Sequence, residues 1–261
     1  MLAFGENSYS FEVLNHTLLK HFGEPETYCR LNPVSQLVLG MLGGKTRTEV
    51  SARVFIDLIE RFGSWQQLRD AATIDVWQTI APVTFSERKA RNLQAALRVV
   101  TGLRGGLDLD HLADMNVADA LGWLEQLPGV GRKTAAATLN FSTLRMPALV
   151  IDSHHLRVLK RLGLLGEREQ FVAAYDLIVP QLPEHWTAED FDEHHTCMKR
   201  LGQDVCISSM PDCRRCPLAG LCPTGARLSG RRLRGQTYEA HSTISRFQGT
   251  SSPMGSPSSR A

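Results

Sequence analysis

The chain has 261 residues, 43% hydrophobic and 21% charged, with 29 lysines and arginines against 27 acids. That is enough apolar material for one large core or two modest ones, which excludes a disordered or collagen-like chain. A net charge of only +2 excludes a globally cationic binder, so attraction to a polyanion must come from local patches. Residues 1–14 carry Glu6 and Glu12 and have neither a basic start nor an apolar run, so they do not read as a signal peptide. No stretch approaches membrane-spanning length. The expectation is a soluble, cytoplasmic protein in a reducing compartment, with Cys29 and Cys197 as free thiols.

In chain order, the apolar pattern is helical almost throughout. Phe11, Leu14, Leu18 and Phe22 share one stripe, and Val34, Leu37, Val38 and Met41 a second that ends at Gly43-Gly44. Val50, Val54, Leu58 and Phe62 continue at helical spacing, and Ser86 is placed to cap a helix carrying Ala90, Leu93, Leu97 and Val100. Asn116 is placed to cap a helix over 117–126, followed by Leu127-Pro128-Gly129-Val130-Gly131 and a further helix over 134–141. Beyond it, helices are expected over 153–162, 167–179 and 188–201. No strand-like alternation persists, so the class is all-α.

The turn at 127–131 is the first chemical signal. Gly129 and Gly131 allow a sharp turn and close approach of the backbone to another surface, while Val130 can pack between the helices. The free amides that begin the second helix form a phosphate site. Arg132 and Lys133 stand there against the helix dipole, which calls for a functional reason.

The second signal is the set Cys206, Cys213, Cys216 and Cys222, separated by six, two and five residues within a 17-residue segment. Four soft thiolates so close suit one zinc ion or an iron–sulfur cluster, and spacing alone does not choose between them. Two surface disulfides are the plainer alternative.

Together these motifs resemble the endonuclease III family of DNA glycosylases. Residues 127–135 resemble its helix–hairpin–helix, Val150-Ile151-Asp152-Ser153-His154 its Gly/Pro-rich segment ending in an aspartate, and the cysteines its [4Fe–4S] loop. The resemblance implies a two-lobed fold: a six-helix barrel over 26–145, a discontinuous cluster domain formed by 1–25 and 146–225, and a separate tail over 226–261. It implies excision of a damaged base from duplex DNA, with oxidised pyrimidine the default lesion, followed by strand cleavage at the abasic site. Lys133 would attack the sugar, Asp152 would stabilise its developing charge, and Arg132 would help keep the Lys133 amine neutral. Gly129, Val130, Gly131, Arg132 and Thr134 would hold the DNA backbone, with Arg214 and Arg215 on phosphates opposite.

Two segments depart from the family. Gly43-Gly44-Lys45-Thr46-Arg47-Thr48 places Lys45 where the family carries a glutamine, and the stretch 81–89 offers Phe85 or Val83 as an intercalating wedge. Duplex DNA with a damaged base or abasic site is the expected partner, gripped by a monomer, with nucleoid association if the source is bacterial. Two other readings stay open: a glycosylase without lyase activity for mismatched or alkylated bases, and a non-catalytic iron–sulfur DNA-binding or redox-sensing protein. The tail holds six arginines against one acid, in a Gly/Ser/Pro-rich context that reads as disordered.

Overall fold

The computed structural model describes residues 10–229. Among the described residues there are twelve α-helices: α1 Phe11–Phe22, α2 Pro33–Gly43, α3 Thr48–Phe62, α4 Trp65–Asp70, α5 Thr73–Thr79, α6 Ser86–Arg104, α7 Val117–Glu125, α8 Arg132–Phe141, α9 Ser153–Arg161, α10 Phe171–Ile178, α11 Ala188–Asp204 and α12 Pro223–Ser229. Short 3₁₀ turns lie at Asp110–Asp114 and Val179–Gln181, and no strand occurs among the described residues.

Local chemistry explains most of the boundaries. Ser10, Asn32 and Asn116 cap α1, α2 and α7 by accepting from the third residue onward. Thr187 and Asp190 form a reciprocal capping box at the start of α11. At α6 the expectation fails by one residue. The N-cap is Phe85 in the left-handed region, and the Ser86 hydroxyl instead accepts from the Trp77 indole at 3.1 Å. The helix expected over 167–179 begins only at Phe171. Helices α4 and α5, of six and seven residues, were not anticipated, because so short a stretch shows barely two turns of periodicity. Helix α12 takes in 226–229, the first residues of the segment read as a tail; 230–261, and 1–9 at the other end, lie outside the described residues.

The buried apolar side chains fall into two clusters. One spans α2–α8, from Val34 to Val150. The other joins α1 to α9–α11 and reaches Cys206 and Leu218. The segment 146–152 runs between them outside any helix, and its side chains alternate between the two. Met146, Ala148 and Val150 enter the first cluster, Leu149 and Ile151 the second. These few residues therefore serve both cores. The next residue is Asp152.

Helix α11 ties the halves together. Asp192 accepts from Arg30 and Tyr28, both at 3.0 Å, and from Arg145 at 3.4 Å. The Asn140 amide, buried in α8, donates to the Ala188 carbonyl at 3.0 Å. The Lys199 ammonium reaches the Thr48 hydroxyl of α3 at 3.4 Å.

Candidate active site

The hairpin between α7 and α8 turns on Gly129, whose φ of 80° is closed to most side chains. A Cβ there would also meet the Asn92 side chain of α6 at 2.6–3.0 Å. Val130 is buried in the first core, and its N–H bonds the Leu127 carbonyl at 3.1 Å. Gly131, the N-cap of α8, supplies no side-chain acceptor, so the first amides of α8 are left open. Thr134 is half-buried, and its methyl packs where α2 approaches at Gly40.

Arg132 does not face the same way. Its guanidinium forms a two-pronged ion pair with Glu125 of α7 and lies over the Tyr175 ring, 5.7 Å from its centroid. This side chain locks the hairpin to α10, and its charge is neutralised. The cation that acts on Lys133 is Lys199, from α11. Burial is the main influence lowering the Lys133 pKa below its ordinary value; Asp152 opposes it and Lys199 adds to it. The expectation that Arg132 helps to keep the amine neutral is therefore corrected to Lys199. Four residues after His195, Lys199 shares that residue's face of α11, a signal present in the sequence but unread.

Asp152 is 9% exposed and N-caps α9. One oxygen, Oδ1, accepts from the His154 and His155 amides at 2.9 and 2.8 Å. Burial by itself raises the carboxyl pKa, but the facing His195 ring and the His155 N–H bring it below the usual carboxylate value. The backbone leading to it is held on both sides. His155 and His195 both place Nδ1 on the Val150 carbonyl, at 3.1 and 2.8 Å, and the Ile151 N–H donates to the Tyr175 hydroxyl at 3.0 Å. Burial depresses these two histidines to about 4 and about 3, so both rings are neutral at physiological pH. They are positioning groups; His195 and Tyr175 were missed, because only the tertiary fold brings them to Asp152.

The loop residues separate clearly. Phe85 is 51% exposed and Val83 only 3%, which removes Val83 as a wedge and leaves Phe85. Lys45 is exposed, with its ammonium 5.7 Å from the Phe85 ring centroid. Arg214 and Arg215 are both exposed, between the second and third cysteines, and Arg214 lies near Asp212.

Cys206, Cys213, Cys216 and Cys222 line one cavity together with Arg161 and Gly225, and all four are free thiols. The disulfide alternative is not what the structure adopts. Burial pushes the Cys213 and Cys222 thiols up, and Cys216 to about 12, with the neighbouring cysteines adding to the effect. Four thiolates are stable here only around a positively charged group. Donors to sulfur are already in place: Arg161 to Cys206 Sγ and the Gly225 N–H to Cys222 Sγ, both at 3.3 Å. The site fits a metal group held by these four residues.

Comparison with known proteins agrees with this geometry. Residues 38–177 match the family model described as HhH-GPD superfamily base excision DNA repair protein. The chain is 26% identical to endonuclease III of Bacillus subtilis over 209 residues, covering 78% of this chain and 88% of that protein. It is 27% identical to endonuclease III of Thermotoga maritima over 228 residues, covering 87% and 98%. Its fold is similar to that of a trapped endonuclease III–DNA covalent intermediate, with a TM-score of 0.69 and 25% identity over 84% of this chain and 97% of the other.

Proposed function

As the chain belongs to the HhH-GPD superfamily of base excision DNA repair proteins, we propose that it excises a damaged base from duplex DNA and then cuts the strand. The observation that carries this reading is the pairing of a half-buried lysine, Lys133, whose pKa is lowered, with a buried carboxylate, Asp152. Chemistry at the sugar requires the nucleotide to leave the stack, and the open amides of α8 supply a grip on its backbone. Asp152 keeps Oδ1 on two amides, so its charge is fixed in place as positive charge builds on C1′. The neutral Lys133 amine attacks C1′, the C1′–N bond breaks, and the base leaves with its electrons and a proton from solvent. Ring opening yields a Schiff base. Loss of a C2′ proton then expels the 3′ phosphate.

Cys206, Cys213, Cys216 and Cys222 would hold a [4Fe–4S] cluster, the group the endonuclease III resemblance implies. When bound, it serves to close the 206–222 segment and present Arg214 and Arg215 to phosphates. Oxidised pyrimidine remains the first lesion to try, and a cytoplasmic monomer the expected state.

The test is borohydride trapping on duplexes carrying thymine glycol, an abasic site, a T:G mismatch or an alkylated purine. Wild-type protein should be trapped covalently and K133A should not. Base release without trapping would mean a glycosylase lacking the lyase step. Neither base release nor trapping from iron-loaded protein would sink the enzymatic reading.

A further inference from the structure

Lys89, on the first turns of α6, lies outside the catalytic pair, yet its ammonium is fully committed. It donates to the Leu42 carbonyl at 2.5 Å, the Gly44 carbonyl at 2.7 Å and the Thr46 hydroxyl at 3.1 Å. An ammonium has three donors, and here each has an acceptor, so none remains for a phosphate. The first two acceptors are carbonyls at the end of α2, where a cation is favoured. The third belongs to the loop that follows.

That loop is bound in turn to the one before α6. The Thr84 N–H donates to the Thr46 hydroxyl at 3.1 Å, and the Thr84 hydroxyl donates to the Lys45 carbonyl at 2.8 Å. Each loop presents one non-glycine residue in the left-handed region, Lys45 at φ 55° and Phe85 at φ 58°. Side chains seldom adopt that backbone unless their surroundings enforce it. Here the result is an exposed Phe85 ring flanked by two cations, Lys45 at 5.7 Å and the Arg88 guanidinium at 4.9 Å.

The assembly sits beside the catalytic lysine. Gly40 of α2 packs on Thr134, the residue after Lys133, and a Cβ at Gly40 would meet the Thr134 methyl at 3.1 Å. Lys89 is also close enough to feel the Lys133 charge. Burial, Lys133 and Arg88 together push its pKa down to about 8. A half-buried cation held against two like charges is a poor device for merely ending a helix.

We propose that Lys89 is the positioning residue of a two-loop duplex probe, locking Lys45 and Phe85 together so that the aromatic–cation tip can enter the base stack beside Lys133. The inference rests on the repair activity proposed above and adds a specificity for stacked duplex over single strands. Phe85 supplies a face for stacking or wedging, and Lys45 supplies donors to the base left unpaired or to a phosphate.

The experiment compares full-length wild type, K89M, K89R and T84V, using whichever of the four duplexes above the wild type cuts best and its lesion strand alone. Single-turnover cleavage is measured on both, together with amide hydrogen exchange of the free proteins. K89M should lose about tenfold or more on the duplex and stay within about threefold on the single strand, which needs no unstacking. Exchange should rise at 43–47 and 83–86 and nowhere else. T84V, which leaves Lys89 intact, should move both readouts in the same direction, and K89R should restore part of the duplex rate. Equal loss on both substrates, exchange rising throughout the first core, or no change in K89M would each overturn the proposal. A wild type that cuts no duplex would instead refute the repair reading, and this inference with it.

Discussion

The two hairpin glycines should separate folding from DNA binding. In G129A the new methyl meets two independent obstacles. Gly129 has a φ of 80°, a left-handed backbone that costs an alanine about 1–2 kcal/mol. Its Cβ would also stand 2.8 Å from Asn92 Cβ, an atom rooted in α6 that no rotamer change can move away. Relieving such overpacking typically costs about 1–3 kcal/mol. The combined loss of about 2–5 kcal/mol should lower Tm by about 2–4 °C for each kcal/mol in a chain of this size. At Gly131 neither obstacle exists, since φ is −113° and no atom lies within 4 Å of the added carbon. G131A should melt with the wild type, but its methyl stands at the open end of α8 where a phosphate must approach. Duplex affinity should fall by roughly tenfold, the worth of one charge-assisted hydrogen bond. Thermal unfolding by circular dichroism and fluorescence anisotropy with a labelled duplex at fixed salt check the two variants. If G129A melts like wild type, or G131A loses as much stability as G129A, this account of the hairpin is wrong.

The site makes further predictions through its charges. Lys133 has a folded-state pKa below its unfolded value, so its charge penalises the folded protein at neutral pH, and stability recovers as pH rises through that window. K133M should therefore abolish trapping yet melt higher than wild type at pH 7, by about 2–4 °C if about 1 kcal/mol is released, and should lack the wild-type rise in melts taken from pH 7 to 10. K199M removes the cation that lowers Lys133, so the pH midpoint of borohydride trapping should move to higher pH. Asp152 is shifted the other way. Its contribution to stability is present above the unfolded carboxyl pKa and lost as pH falls through the folded value, so D152N should lose excision and flatten the acid limb of the stability profile. C216S removes one of the four cavity-lining thiols, and metal analysis should find less iron than the roughly four atoms per chain expected of the wild type.

What could be read directly was whatever rests on a few neighbouring residues. Gly129 and Gly131 announce a turn because backbone sterics are local, and the cysteine spacing announces a shared centre; the cap that Asp152 makes is equally local, since the amides that donate to it lie two and three residues on. The helical stripes of α1–α3 and α6 were legible because burial on one face imposes a 3.6-residue period. The short α4 and α5 lack enough turns to display it, and the cap at Phe85 could not be foreseen because its left-handed backbone is held by loop contacts from Thr46 and Lys89.

The reacting arrangement was decided only by tertiary structure. Lys133 and Asp152 are 19 residues apart, and no rule of spacing says that the two meet or that Lys199 faces Lys133. Their ionisation follows from burial at the place where the 146–152 segment divides its side chains between two cores. A pKa depends on which charges and dipoles the fold gathers within a few ångströms, and chain order does not carry that information. The same holds for Arg132. By position it stood as a partner of Lys133, and packing gave it instead to Glu125 and Tyr175.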